Sequence, residues 1–180
     1  MRTVRPGAAQ LVSMAEELAD LLTDTVDGGA SVGFLAPLDR AEAVAWWARR
    51  STAVAAGHLL VWVAHEESGR VLGTVSLALP DKPNSTHRAE LVKLMVRRTA
   101  RGRGLGRALL AVAEGEAAAR GITLLHLDTE TGSPAERLYR SSGWTAIGAI
   151  PDYAADPAGV LRPTTIYYKR LPAAAASATG

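Results

Sequence analysis

Six consecutive residues, Arg101-Gly102-Arg103-Gly104-Leu105-Gly106, set three glycines and two arginines between an extended apolar run and a long alanine-rich helical run. Such a turn builds an anion site. Glycine reaches φ > 0 and lets a ligand approach the backbone, while the first amides of the following helix point outward at the positive end of its dipole. The dinucleotide fingerprint G-x-G-x-x-G fails here, because Arg107 and Leu109 stand where Gly102 and Gly104 would each need a further glycine. The Walker pattern fails too, since no lysine stands in the turn. What remains is R-x-x-G-x-G. Lys93, Arg97, Arg98, Arg101, Arg103 and Arg107 flank it with no acid from Leu91 to Ala113, which points to a ligand with more than one phosphate. A solvated helix start with loose arginines is the competing reading of the turn taken alone.

Several elements must position this turn. A short strand, Thr3 to Arg5, precedes a helix from about Ala8 to Thr23, where Leu11, Ala15, Leu18 and Leu22 recur at helical spacing. A loop carries Phe34, the only phenylalanine, and a second helix runs from about Asp39 to Thr52 with Trp46 and Trp47 adjacent. Adjacent helical residues lie about 100° apart, so one tryptophan lines a cleft or stands at a packing edge while the other is buried. His58 to His65 and Arg70 to Leu79 form an antiparallel hairpin about Glu67-Ser68-Gly69. A strand from about Arg88 to Val96 enters the glycine turn. The helix from Leu105 to Arg120 then shows Leu105, Ala108, Leu109 and Val112 on one face, with Gly121 as its cap.

The apolar run Ile122 to Leu127, ending in Asp128, reads as a buried strand parallel to the one before the helix. Ser133-Pro134-Ala135-Glu136 is a capping box with proline at the first helical position, and that helix ends near Ser142 before Gly143. Two more strands, about Thr145 to Ile150 and Thr164 to Leu171, are separated by a loop from Pro151 to Pro163. One domain over residues 1–171 is expected, with residues 172–180 as a disordered tail of small uncharged residues.

Composition excludes several classes of function. There is no cysteine, so disulfides, thiolate metal sites and a cysteine nucleophile are out, and four scattered histidines give no metal spacing. Net charge is only +2 and aromatics make up 5%, which argues against nucleic-acid binding. Neither a signal peptide nor a membrane-spanning run is visible, so a cytoplasmic protein is expected.

The order strand, R-G-R-G-L-G, helix, strand ending in Asp128, then Ala135-Glu136-Arg137-Leu138-Tyr139 closed by Gly143-Trp144 resembles the GNAT N-acetyltransferases. That resemblance runs from the first helix to Leu171. It implies an α/β (α+β) fold with a mixed sheet of six to seven strands, about four flanking helices and splayed parallel central strands. It also implies acetyl-CoA as co-substrate and no metal. The cofactor would be held by Leu94-Met95-Val96 and Arg101 through Gly106, its pyrophosphate on the glycine turn. Within the family, the runs Glu90 to Val96, Leu127-Asp128-Thr129-Glu130 and Tyr153 through Tyr167 resemble the tabtoxin-resistance acetyltransferases, whose acceptor is an amino-acid toxin. One position departs from the broader family: Gly132 stands where many members have asparagine, so Ser133 or backbone amides would take over contact with the pantetheine arm.

The chemistry must deprotonate an ammonium of pKa ~10, hold the amine against a thioester, stabilise an oxyanion and release a thiolate. Glu90 and Asp128 are the carboxylates best placed by chain position, and the resemblance points to the same pair. Each has a plainer reading, Asp128 as a loop cap and Glu90 as a surface partner of Arg88 or Lys93. A backbone amide near Met95 or Val96 would serve the oxyanion, and Tyr139 falls on the family's general-acid tyrosine. A phenol at ~10 and a thiol at ~8.5 are close enough for proton transfer. Phe34, Trp46, Trp47 and Tyr153 are the expected acceptor contacts. The expected activity is acetylation of a small amine by a monomer or homodimer without nucleic-acid or membrane partners. The alternatives are a protein lysine or N-terminal acetyltransferase, and a non-catalytic acyl-CoA sensor.

Overall fold

In the computed structural model, which describes residues 1–172, seven strands and five helices follow one another along the chain. They are β1 (Arg2–Val4), α1 (Ala8–Ser13), α2 (Ala15–Asp27), α3 (Arg40–Ala55), β2 (Leu59–His65), β3 (Val71–Ala78), β4 (Arg88–Val96), α4 (Leu105–Ala119), β5 (Leu124–Glu130), α5 (Pro134–Ser141), β6 (Thr145–Ala155) and β7 (Leu161–Arg170). The strands form one sheet in the order β1-β2-β3-β4-β5-β7-β6, in which only β4 and β5 run parallel. The expected tail lies outside the described residues from 173 onward.

Strand alternation sorts the apolar side chains onto two faces. Along β2, Leu59, Val61 and Val63 pack with Leu11, Leu18, Leu22 and Trp47 of α1 to α3. Trp62 and Ala64 between them pack on the other face with Leu105, Leu109 and Leu110 of α4. Each fully buried leucine is worth about 1.5–3 kcal/mol of transfer free energy, so both faces are firmly covered. The buried stripe of α4 is Leu105, Leu109, Leu110, Ala113 and Ala117; Ala108 and Val112, expected in it, are exposed.

Three element boundaries differ from expectation for local reasons. The first helix is two helices, interrupted at Met14, whose φ of -96 and ψ of 0 leave the helical range. The expected loop from Pro151 to Pro163 is mostly strand, with a tight turn held by Asp156, whose carboxylate accepts from the N–H groups of Ala158 and Val160. The glutamate after the Ser133 cap does not close a capping box on the cap residue. Ser133 Oγ accepts from the Glu136 N–H, but Glu136 Oε2 accepts from Gly132 N–H at 2.7 Å, one residue earlier.

One irregularity governs the centre of the sheet. Lys93 in β4 has φ 54, in the left-handed region that bulky residues rarely adopt, and the β3–β4 register slips between Thr74 and Ser76 at the same level. Before this bulge Ala89 and Leu91 face α4; after it Met95 faces α1 to α3, so the alternation is reversed. Pairing of β4 with β5 stops at Glu90↔His126. Beyond that point β4 stays with β3 as far as Val96, and β5 stays with β7 as far as Glu130. The two parallel strands therefore part, leaving unpaired backbone on both walls of a gap.

Candidate active site

The glycine turn lies just beyond the open end of β4. Gly102 and Gly104 have φ 75 and 79, and the space where a Cβ would project from either is empty, so the turn is a cradle that only glycine leaves open. Gly104 is the N-cap of α4, and the first ladder bond of that helix is from Ala108 to Gly104. The N–H groups of Leu105, Gly106 and Arg107 therefore have no helical acceptor. These residues fit a pyrophosphate-bearing ligand.

The arginine inventory is smaller than the sequence implied. Arg97 donates from Nε to the Val71 carbonyl, Arg98 pairs with Asp24 at 2.9 Å, and Arg107 donates to Ser141. Lys93 points away altogether. Arg101 remains at the turn, with Nε donating to the Val96 carbonyl at 3.0 Å, together with Arg103. The other cations stand near the turn in sequence, but the fold engages them elsewhere.

The same contacts orient the β4 wall. Arg97 N–H donates to Leu72 O on β3, so residue 97 faces β3. Neighbouring residues along a strand direct their N–H and C=O groups to opposite sides. Val96 thus turns its amide into the gap and Met95 turns its amide toward β3, which makes Val96 the better-placed oxyanion donor of the two. The Met95 side chain is buried in the core.

Glu90 and Asp128 come to the same face of the sheet. They alternate with Ala89 and Leu91 on one strand and with Leu125 and Leu127 on the other, all four of which face α4. Glu90 sits at the last β4–β5 pair, and Asp128 lies two residues further along β5, where the gap has opened. On the same face Lys93 meets the loop before α3 and α3 itself, through Val32, Phe34 and Trp46. Phe34 meets Trp46 edge-on at 5.3 Å between centroids, and Trp46 meets Trp47 at 5.0 Å. Trp46 is half-buried at this cleft, whereas Trp47 is 1% exposed and belongs to the core, with its indole N–H unpartnered among the described residues. Tyr153 stands exposed on β6. Its hairpin is tied to the loop by Ala36 N–H donating to the Pro157 carbonyl.

Tyr139 approaches the gap from the opposite face. It is 5% exposed, on α5, with its ring near those of Trp144 and Tyr167. Burial, and then the negative charge of Asp128, push its phenol above the ordinary range, so it stays protonated at every working pH. The simple match of ~10 to ~8.5 does not hold here. Desolvation also raises the proton affinity of a thiolate in the same place, which brings the two groups back together. Asp128 thus acts on both faces at once, on Tyr139 and on Lys93.

Two features escaped the sequence reading. Lys93, by strand parity, belonged with Ala89 and Leu91; the bulge delivers it to the face of Glu90 and Asp128 instead, 5.5 Å from the Trp46 ring centroid. No sequence signal marks a bulge at a lysine. The other feature is a buried network beneath α5. Glu136 Oε1 accepts from the Tyr167 hydroxyl at 2.9 Å and from Arg140 at 3.0 Å, and Arg140 Nε donates to the Tyr167 oxygen at 2.7 Å. The network anchors the helix that carries Tyr139, but none of its bonds involves the Tyr139 hydroxyl. Ser133, expected at the pantetheine arm, has its oxygen engaged as the α5 cap.

The sequence matches the model of the acetyltransferase (GNAT) family over residues 16–144. The structure is similar to the ribosomal-protein-alanine N-acetyltransferase of Brucella melitensis, at 25% identity, with a TM-score of 0.74 and coverage of 95% of this chain and 100% of that one. It is also similar to a GNAT phosphinothricin acetyltransferase from Sinorhizobium meliloti in complex with acetyl-CoA, at 23% identity and a TM-score of 0.75 over 99% and 91% of the chains. A third similar structure is yncA from Salmonella typhimurium with its cofactor acetyl-CoA, at 22% identity and a TM-score of 0.73 over 100% and 99%.

The Glu136 network makes a stability prediction. Burial works to raise this carboxyl, but the Gly132 N–H, the Tyr167 and Thr165 hydroxyls and Arg140 together outweigh it and hold the pKa below its ordinary value. Folding then favours the ionised form. Its contribution is complete above the unfolded value of ~4.3 and is lost as pH falls through the folded value. Glu136→Gln should cost about 2–3 kcal/mol near pH 7, or roughly 5–10 °C in Tm. Thermal melts across pH should show the gap between variant and wild type narrowing below pH ~4; a gap independent of pH would remove the carboxylate from the network.

Proposed function

The chain belongs to the acetyltransferase (GNAT) family, and from that premise we propose that it moves an acetyl group from acetyl-CoA to the primary amine of a small molecule. The acceptor is an amino-acid-like metabolite, toxin or antibiotic, and the amine attacks directly in a ternary complex. The observation that carries this reading is the gap between β4 and β5. At one end of it lies a glycine cradle for phosphates, on one face two carboxylates, and on the other a protonated phenol. In the absence of a cysteine, no thiol nucleophile is available for an acyl-enzyme.

Acetyl-CoA, when bound, supplies an activated thioester. Residues of this chain do the rest. The Leu105, Gly106 and Arg107 amides, with Arg101 and Arg103, hold the pyrophosphate. Glu90 and Asp128 hold the acceptor ammonium and take its proton at a carboxylate oxygen. The Val96 N–H stabilises the developing oxyanion, and Tyr139 Oη gives its proton to the departing sulfur. The loop from Ser31 to Leu38 is pinned over the acceptor side by Lys93, whose Nζ donates to Val32 O at 2.6 Å, and this supports a small acceptor over a long peptide. The reading takes residues 1–171 as one domain working in the cytoplasm as a monomer or homodimer. No described helix is long and apolar enough to cross a membrane.

A second reading, acetylation of a protein N-terminus, is favoured by the similarity to the Brucella melitensis enzyme. A thiol-release screen over amines, amino acids, amine-bearing antibiotics and a peptide with a free N-terminal alanine decides between the two. Turnover of the peptide alone would overturn the small-acceptor reading.

Three outcomes test the machinery. Gly104→Val places a branched side chain at φ 79 in the open cradle, so it should abolish the rise in Tm that acetyl-CoA gives wild type while leaving the unliganded Tm within a few degrees. Retained affinity would put the phosphates elsewhere. Tyr139→Phe should lower kcat by about 100-fold with little change in acetyl-CoA affinity, because the ring still packs and only the proton is lost. Unchanged kcat across pH would leave water as the acid. Asp128→Asn and Glu90→Gln should each impair turnover, and the double variant should be no worse than the more damaging single one, since a shared proton path fails as a unit. Strictly additive losses would show two separate roles.

A further inference from the structure

We propose that Lys93, with Arg50 at the rim of the cleft, reads a carboxylate on the acceptor, so that the preferred acceptor is a zwitterionic amino acid with its ammonium at Glu90 and Asp128. This rests on the reading of the cleft as the acceptor side of an acetyltransferase.

Lys93 is a half-buried cation with no anion in contact with it among the described residues. Neither it nor Arg50 takes part in any ion pair among the described residues. Its ammonium has three protons, and Val32 O accounts for one. Two aromatic rings also stand near it, with Phe34 at 5.7 Å and Trp46 at 5.5 Å from Nζ to the ring centroids. Arg50 stacks on the same indole, its Cζ 4.3 Å from the centroid, and its side chain is exposed. Burial lowers the Lys93 pKa, the Arg50 charge lowers it further, and Asp128 and Glu90 oppose them. A desolvated ammonium beside a like charge is an unfavourable arrangement for an empty site and a favourable one around an anion.

The bulge is what brings the two signs together. It turns Lys93 onto the face of Glu90 and Asp128, so that one cleft has cations on its α3 side and carboxylates at the strand gap. An amino acid offers the complementary pair on a single carbon. An amine without a carboxylate leaves the cations unpaired, and a peptide N-terminus presents an amide where the carboxylate belongs.

A merely structural Lys93, holding the loop through Val32, would affect all acceptors alike, and the test exploits that difference. Wild type, Lys93→Met, Lys93→Arg and Arg50→Met are assayed by thiol release with the twenty L-amino acids and the methyl ester of each. Wild type should prefer an acid over its ester. Lys93→Met removes the Val32 contact for both substrates and so should lower kcat/KM for both, but about 10- to 100-fold more for the acid than for its ester; Lys93→Arg should restore much of the discrimination, and the surface variant Arg50→Met should weaken it. Equal loss on acid and ester would make Lys93 a loop clamp and overturn the proposal. Wild-type preference for esters would overturn it as well. If simple amines and antibiotics are acetylated but no amino acid is, the carboxylate proposal fails while the small-amine reading stands. If none of these is acetylated, both fail.

Discussion

The parting of β4 from β5 is the constraint on which the rest of the structure depends. Two parallel strands that could have paired along their length instead pair over three residues and separate. The cause is local: a left-handed Lys93 slips the β3–β4 register, and from there each strand follows its outer neighbour. A positive φ at a lysine is unfavourable by about 1–2 kcal/mol, and it persists because the strands on both sides over-determine it. Unpaired N–H and C=O groups inside a sheet are ordinarily costly. Here they face the opening between the two strands.

The same bulge reassigns side chains between the two faces. With strict alternation Lys93 would have pointed into the core around α4, where a charge is not tolerated without a partner. With the reversal it joins Glu90 on the opposite face, and Met95 fills the core around α1 to α3. One backbone torsion thus separates the face of the gap that packs on α4 and Tyr139 from a face with charges of both signs. Asp128, at the point of separation, is felt from both faces.

Positioning of Tyr139 depends on a different device. The short helix α5 carries it, and a helix of eight residues has little stability of its own. It is held by the Ser133 cap at one end and by Glu136, Tyr167 and Arg140 beneath it. A buried carboxylate with this many donors is a rigid anchor, because losing any one partner leaves the others with unmatched charge. The position of the tyrosine therefore derives from residues whose hydrogen bonds do not involve it.

Much of this was legible in the sequence. The bounds of β4, the start of α4, the Ser133 cap and the parallel β4–β5 unit follow from apolar periodicity, glycine chemistry and capping, all of which act over a few residues. The glycine turn, with Gly102 and Gly104 at positive φ, is the clearest case, since no other residue type leaves that backbone open. Glu90, Asp128 and Tyr139 could be named from motif order, and the fold brings all three to one gap. What sequence misjudged was the fate of long charged side chains. Lys93, Arg97, Arg98 and Arg107 cluster near the turn in the chain, yet their reach of several ångströms lets each find a partner from a distant segment. Glu136 looked like a cap and proved to be a buried anchor. Local backbone preferences are properties of a short stretch, so sequence alone determined them; where a flexible charged side chain points is decided by which distant groups the fold places within its reach, and only the tertiary structure supplies those.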